Sequence, residues 1–100
     1  MATGYKVWFT EQAYRHLGAI SRRDRKVILD AIREQLVHTP DTETRNRRLL
    51  RDNPFADWEL KISQCRLFYD LDVANRVVRI LAVGIKERNR LIIGGEEVVL

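Results

Sequence analysis

After one short alternating run, the apolar positions in the first half of the chain recur three and four residues apart; in the second half they alternate. Tyr5, Val7 and Phe9 alternate with Lys6 and Trp8, which predicts a first strand over Tyr5 to Phe9. Thr10 has the chemistry of a helix N-cap, and Glu11 sits where the helix dipole favours an acid. Ala13, Tyr14 and Leu17 recur at helical spacing, and Gly18 closes this short helix. Ser21 opens a second helix, with Asp24 in the place a capping box gives to Glu. Val27, Ile28, Ala31, Ile32 and Leu36 form its apolar stripe, and Pro40 stops it.

In the second half, Trp58, Leu60 and Ile62 alternate with Glu59 and Lys61. Cys65, Leu67, Tyr69 and Leu71 alternate with Arg66, Phe68 and Asp70, and Ser63-Gln64 leaves room for a tight hairpin between the two strands. Arg76 to Ile85 is the most apolar run and predicts a central strand, with Asp72 to Asn75 as the turn before it. The tail is a short apolar segment, a Gly94-Gly95 break and a second apolar segment. Leu91 to Ile93 and Val98 to Leu100 either pack on the core or offer a docking edge. His38 to Asp57 carries both prolines, Pro40 and Pro54, and reads as a long arginine-rich loop. The order β-α-α-β-β-β predicts an α+β fold: an N-terminal strand and helical hairpin packed on one face of an antiparallel sheet, the other face open.

The chain has 100 residues, 45% of them hydrophobic, which fits one domain over residues 1–100 built on one compact core. It has 18 Lys and Arg against 14 Asp and Glu, and the net charge of +4 fits a polyanion or an acidic protein partner. Cys65 is the one cysteine, so no intrachain disulfide forms, and its apolar neighbours make it a core residue. The longest apolar run, Ile80 to Ile85, is far short of the roughly 18 residues of a membrane span. The opening MATGYKVWF shows no basic region followed by a long apolar stretch, so no membrane partner and a cytoplasmic location are expected.

Alternation places Glu59, Lys61, Arg66, Phe68 and Asp70 together on the open face. Arg79 joins them if Val78, Ile80 and Ala82 point inward. Cations on adjacent strands beside an aromatic ring suit a phosphate with a base stacked next to it. Charged residues on an open sheet face are also ordinary solvation, and spacing alone does not separate the two readings. Further cations border the face: Arg45, Arg47, Arg48 and Arg51 in the loop, and Lys86, Arg88 and Arg90 after the last long strand. Arg22, Arg23, Arg25 and Lys26 at the start of the second helix read as solvated surface. His16 and His38 lie far from each other and from Cys65, nothing has metal-ligand spacing, and no metal or other cofactor is expected. Ser21 and Ser63 lack a nucleophile's partners, Gly94-Gly95 is a turn, and Asp70 and Asp72 read as turn residues.

Trp58-Glu59-Leu60-Lys61-Ile62, the tight turn, Arg66-Leu67-Phe68-Tyr69, and Val83-Gly84 followed by Lys86, Glu87 and Arg88 resemble the RelE/ParE superfamily of bacterial toxin–antitoxin toxins. The N-terminal strand, the Thr10 cap, the helical hairpin and Arg48-Leu49-Leu50 extend the resemblance over nearly the whole chain. The resemblance implies a RelE-like fold and a cognate antitoxin whose extended C-terminal segment wraps the toxin. It also implies, for the RelE-like branch, metal-independent cleavage of mRNA in the ribosomal A site, by attack of a 2′-OH on the adjacent phosphate. It assigns catalysis to Lys61, Arg66 and Lys86, with Arg88 as a neighbour.

The sequence departs from the RelE type at two points. Glu59 stands where a second lysine is usual, and Arg90 to Ile93 lacks the tail tyrosine. Some relatives use a carboxylate as base, a role open to Glu59. The resemblance therefore also admits a ParE-like inhibitor of DNA gyrase, or a non-toxic member that retains antitoxin binding alone.

Overall fold

A computed structural model describes residues 4–51, 53 and 55–99. Pro54 in the loop and Leu100 in the tail lie outside the described residues. The elements run β1 (Lys6–Phe9), α1 (Glu11–Gly18), α2 (Arg22–Gln35), β2 (Arg47–Leu49), β3 (Trp58–Ile62), β4 (Cys65–Asp72), β5 (Val77–Glu87), β6 (Arg90–Ile93) and β7 (Glu96–Val98). Both helix starts are set by hydroxyl caps. The Thr10 side chain accepts from Ala13 N–H and the Ser21 side chain from Asp24 N–H, each at 3.1 Å.

One sheet holds all the strands in the order β2-β3-β4-β5-β6-β7, and these pairs are antiparallel. The antiparallel sheet expected from sequence has one exception: β1 lies parallel to β5, with Lys6 opposite Val77 and Phe9 opposite Ile80. β1 and β6 share one edge of β5, β1 along its first half and β6 along its last residues. Three strands come from stretches read as loop or tail. β2 sits in the arginine-rich loop, and β6 and β7 form a hairpin of the tail around Gly94 and Gly95, whose φ values are 61° and 83°. Arg88 and Asn89 adopt positive φ at the β5–β6 turn, the conformation that two-residue hairpins require.

Apolar side chains gather on both faces of the sheet. Ile28, Ile32 and Leu36 of α2 and Ala13 and Leu17 of α1 pack on Leu60, Leu67, Tyr69, Val78 and Ile80. In α1 the buried turn is Ala13, His16 and Leu17, whereas Tyr14, read as part of the stripe, is exposed; in α2 Val27 is likewise exposed and Leu29 packs instead. Tyr69 is fully buried, lies flat against Trp58 at 5.9 Å, and donates its hydroxyl to Pro40 O at 2.8 Å. Cys65 is buried as expected, and burial raises its thiol pKa.

The second cluster, Ala56, Phe68, Ala82, Leu91 and Ile93, covers part of the face expected to be open. Two features build it. A register shift at Phe68/Tyr69 sets Phe68 opposite Ala82 and Tyr69 opposite Ile80, which leaves Leu81 as a bulge. Beyond the bulge the inward and outward positions of β5 exchange, so Ala82 faces away from the helices and Val83 faces them. Gly84 then leaves room for the tail: a Cβ there would stand 2.8 Å from Ile92 O and from Ile93 Cγ1. The tail segment Leu91 to Ile93 thus packs on the core, while Val99 is exposed.

The exchange of β1 for β6 along β5 leaves a gap in the ladder. Thr10 N–H donates to Ile80 O, and the pairing with β6 starts at Gly84, opposite Ile93. Val83 N–H falls between them and donates to His16 Nδ1 at 3.3 Å. That nitrogen must be unprotonated to accept, and burial lowers the His16 pKa from its ordinary 6.5. Below 6.5 the unfolded chain therefore takes up a proton that the folded chain resists. The His16 contribution to stability is complete above 6.5 and declines as pH falls through the folded-state pKa. Asp57 acts in the opposite sense, since Asp70 raises its pKa and acid relieves their repulsion. Urea unfolding at about pH 7.5 and about pH 5 should show the His16 loss, and His16→Gln should flatten it.

Candidate nucleic-acid interface

Four neighbouring strands deliver cations to the face opposite the helices. β2 places Arg48 opposite Glu59 of β3, and β3 places Lys61 opposite Arg66 of β4. Arg66 lies opposite Gly84 of β5, two residues before Lys86. The β3–β4 hairpin fixes this end of the sheet: Lys86 N–H donates to Gln64 O at 2.7 Å and Lys61 N–H to Asn46 O at 2.8 Å. Arg66 Nη1 donates to Ser63 O and Cys65 O, both at 2.9 Å, which fixes the guanidinium plane.

Together these side chains line a cavity of about 190 Å³, walled by Arg45, Asn46, Arg48, Glu59, Lys61, Arg66 and Lys86. Five cations and one anion converge there. A second depression of about 280 Å³ adjoins it, sharing Arg48, Glu59 and Lys86 and adding Leu91, Val98 and the Arg90–Glu97 ion pair, 3.8 Å apart. Glu59 sits between the two. Its side chain is 13% exposed, and Oε1 accepts from Arg48 Nη2 at 2.9 Å. Such a site suits anionic oxygens: guanidinium groups offer paired donors, and ammonium groups add point charge.

The structure thus gathers Lys61, Arg66, Lys86, Glu59, Arg45 and Arg48 from the residues singled out in sequence. It separates four others. Phe68, expected as a stacking platform beside the cations, is fully buried, with Phe55 packed edge-on against it at 5.4 Å. Arg79 lies opposite Asp70, on the far side of the bulge from Lys86, and does not line the cavity. Arg51 follows β2 at the Trp58 end of the sheet, and Arg88 is exposed in the β5–β6 turn; neither lines the cavity.

Arg47 is a correction of another kind. Expected in an exposed loop, it is buried in β2, pointing away from Arg48. Its Nη1 donates to Gln35 O at 2.8 Å, at the last residue of α2, and its Nε donates to Thr42 O at 2.9 Å. The guanidinium satisfies an orphan carbonyl at the helix end and ties the following loop to the sheet. Arg47→Met keeps the length and removes the donors, and it should cost about 2–4 kcal/mol in urea unfolding. Asn46 entered the cavity wall unannounced, since a polar residue in an arginine-rich loop gives no separate signal. Asp70 meets Asp57 rather than Asp72: Asp57 N–H donates to Asp70 Oδ1 at 2.8 Å. Asp72 serves its turn as expected, accepting from Asn75, which lowers its pKa.

A scan against models of known protein families finds no match, and a search of curated proteins finds none. The solved structures similar in fold include chains of two toxin–antitoxin complexes. One is a chain of the toxin–antitoxin complex RelBE2 from Mycobacterium tuberculosis, with TM-score 0.71 and 26% identity over 81% of this chain and 96% of that one. The other is a chain of the archaeal RelE–RelB complex from Pyrococcus horikoshii, with TM-score 0.67 and 17% identity over 88% of this chain and 99% of that one. With two helices on one face of this sheet, the chain has a RelE-like fold.

Proposed function

We propose that this chain is the toxin of a toxin–antitoxin pair, and that it stops translation by cutting mRNA on the ribosome. The carrying observation is the convergence of Arg45, Arg48, Lys61, Arg66 and Lys86 on one cavity. The likeness to chains of RelE-containing toxin–antitoxin complexes supports the toxin role and a cognate antitoxin as partner. In the proposed reaction a 2′-OH attacks the neighbouring phosphorus and the bond to the following 5′-oxygen breaks. The products are a 2′,3′-cyclic phosphate and a 5′-OH end. Negative charge builds on the phosphate oxygens as the fifth bond forms, and preorganised cations in a fixed sheet stabilise it without rearranging. Proton transfer falls to the titratable groups of the cavity wall, Lys61, Lys86 and Glu59.

The test adds purified protein to a reconstituted translation reaction and maps mRNA 5′ ends by primer extension. New ends that require the ribosome are the expected result. Intact mRNA with folded protein would overturn cleavage. A gyrase supercoiling assay and a growth test without the antitoxin then decide between a ParE-like inhibitor and a chain that retains antitoxin binding alone.

A further inference from the structure

The cavity contains a group that a simple phosphate site would not carry. Glu59 is its one anion among the described residues, and it is a built part of the wall. The carboxylate side chain is 13% exposed, stands on the second residue of β3, and is tied to Arg48 across the β2–β3 pair. It also borders the adjoining depression, so it stands at the partition between two hollows that share Arg48 and Lys86. A carboxylate ion-paired to a guanidinium occupies the same donors that a phosphate oxygen would use.

We infer that Glu59 is a resident counter-anion that sets the ligand selectivity of the cavity. It holds Arg48 neutralised and repels a lone phosphate. A single-stranded nucleic acid overcomes it by placing successive phosphates in both hollows, against Arg45, Lys61 and Arg66 on one side and Arg90, already paired with Glu97, on the other, with Lys86 reaching both. The site thereby discriminates between an extended polyanion and the small phosphates that surround it in solution. This inference rests on the reading of the cavity as an RNA phosphate site. It makes Glu59 a specificity determinant of binding, a role separable from proton transfer, since loss of a proton-transfer group alone would leave ground-state binding unchanged.

The test measures fluorescence anisotropy of a labelled single-stranded RNA of about eight nucleotides, methylated at its 2′-hydroxyls so that it binds uncut. Glu59→Gln should tighten binding by about tenfold, the scale of one partly screened charge pair. It should also steepen the dependence of log K on log salt by about 0.7, the increment for one added phosphate contact on a single strand. Inorganic phosphate should compete measurably better against the variant than against the original chain. Glu59→Thr, which suits strand backbone, should give the same changes and stands in if Glu59→Gln folds poorly. Arg48→Gln added to Glu59→Gln should cancel the gain.

Unchanged or weaker binding by folded Glu59 variants, with Lys61→Ala and Arg66→Ala still weakening the original chain, would overturn this inference and leave the phosphate site standing. Insensitivity to Lys61→Ala and Arg66→Ala as well would overturn both.

Discussion

Arg66→Ala is expected to slow ribosome-dependent mRNA cleavage by about 10²–10³-fold, the usual loss for one preorganised group facing developing charge. The size of the effect follows from how Arg66 is held. Two hairpin carbonyls take Nη1, so the guanidinium is aimed before substrate arrives, and Nε and Nη2 carry the remaining donors. It lies opposite Lys61 on one side and Gly84 on the other, at the centre of the cation row. Half-exposed and outside both apolar clusters, it can be removed with little effect on folding. Primer extension in reconstituted translation, with unfolding curves alongside, is the measurement. A folded variant that cuts at the original rate would remove Arg66 from the chemistry.

Phe68→Ala should act on the fold instead, costing about 3–5 kcal/mol in chemical unfolding. The ring has no exposed surface and is enclosed by Ala56, Ala82, Leu91 and Ile93, with Phe55 against its edge. Truncation leaves a cavity between the β4–β5 pair and the tail hairpin, in a cluster too small to close around it. Equal stability and weaker RNA binding in this variant would restore Phe68 to the interface.

The contrast between these two neighbouring residues of β4 shows where the sequence was legible. Trp58 to Tyr69 could be read because two alternating runs flank a two-residue turn, and one-sided burial imposes a period of two. The caps Thr10 and Ser21 were legible because their chemistry is local. The β5 bulge was not. In a strand apolar on both faces, Ile80, Leu81, Ala82 and Val83 carry no alternation from which a parity change could be seen. The consecutive run Leu67-Phe68-Tyr69 was the available signal that β4 is covered on both sides. Of the candidate site, Lys61 and Arg66 came from alternation and the resemblance together, and Lys86 from its place after the last long strand and the resemblance. Arg47 and Arg48 were indistinguishable until β2 was seen, since a strand of three residues is too short to announce itself, yet it sends one guanidinium to the core and the other to the cavity.

The shared edge of β5 also bears on the order in which the molecule can be assembled during synthesis. β1 precedes its strand partner by about 70 residues, and β5 needs β6 to complete its other half. The cation cavity needs Arg48 from β2 and Lys86 from the end of β5. A nascent chain therefore carries no complete site until β5 is free to pair with β4. By topology alone, the site is among the last features of this fold to be completed.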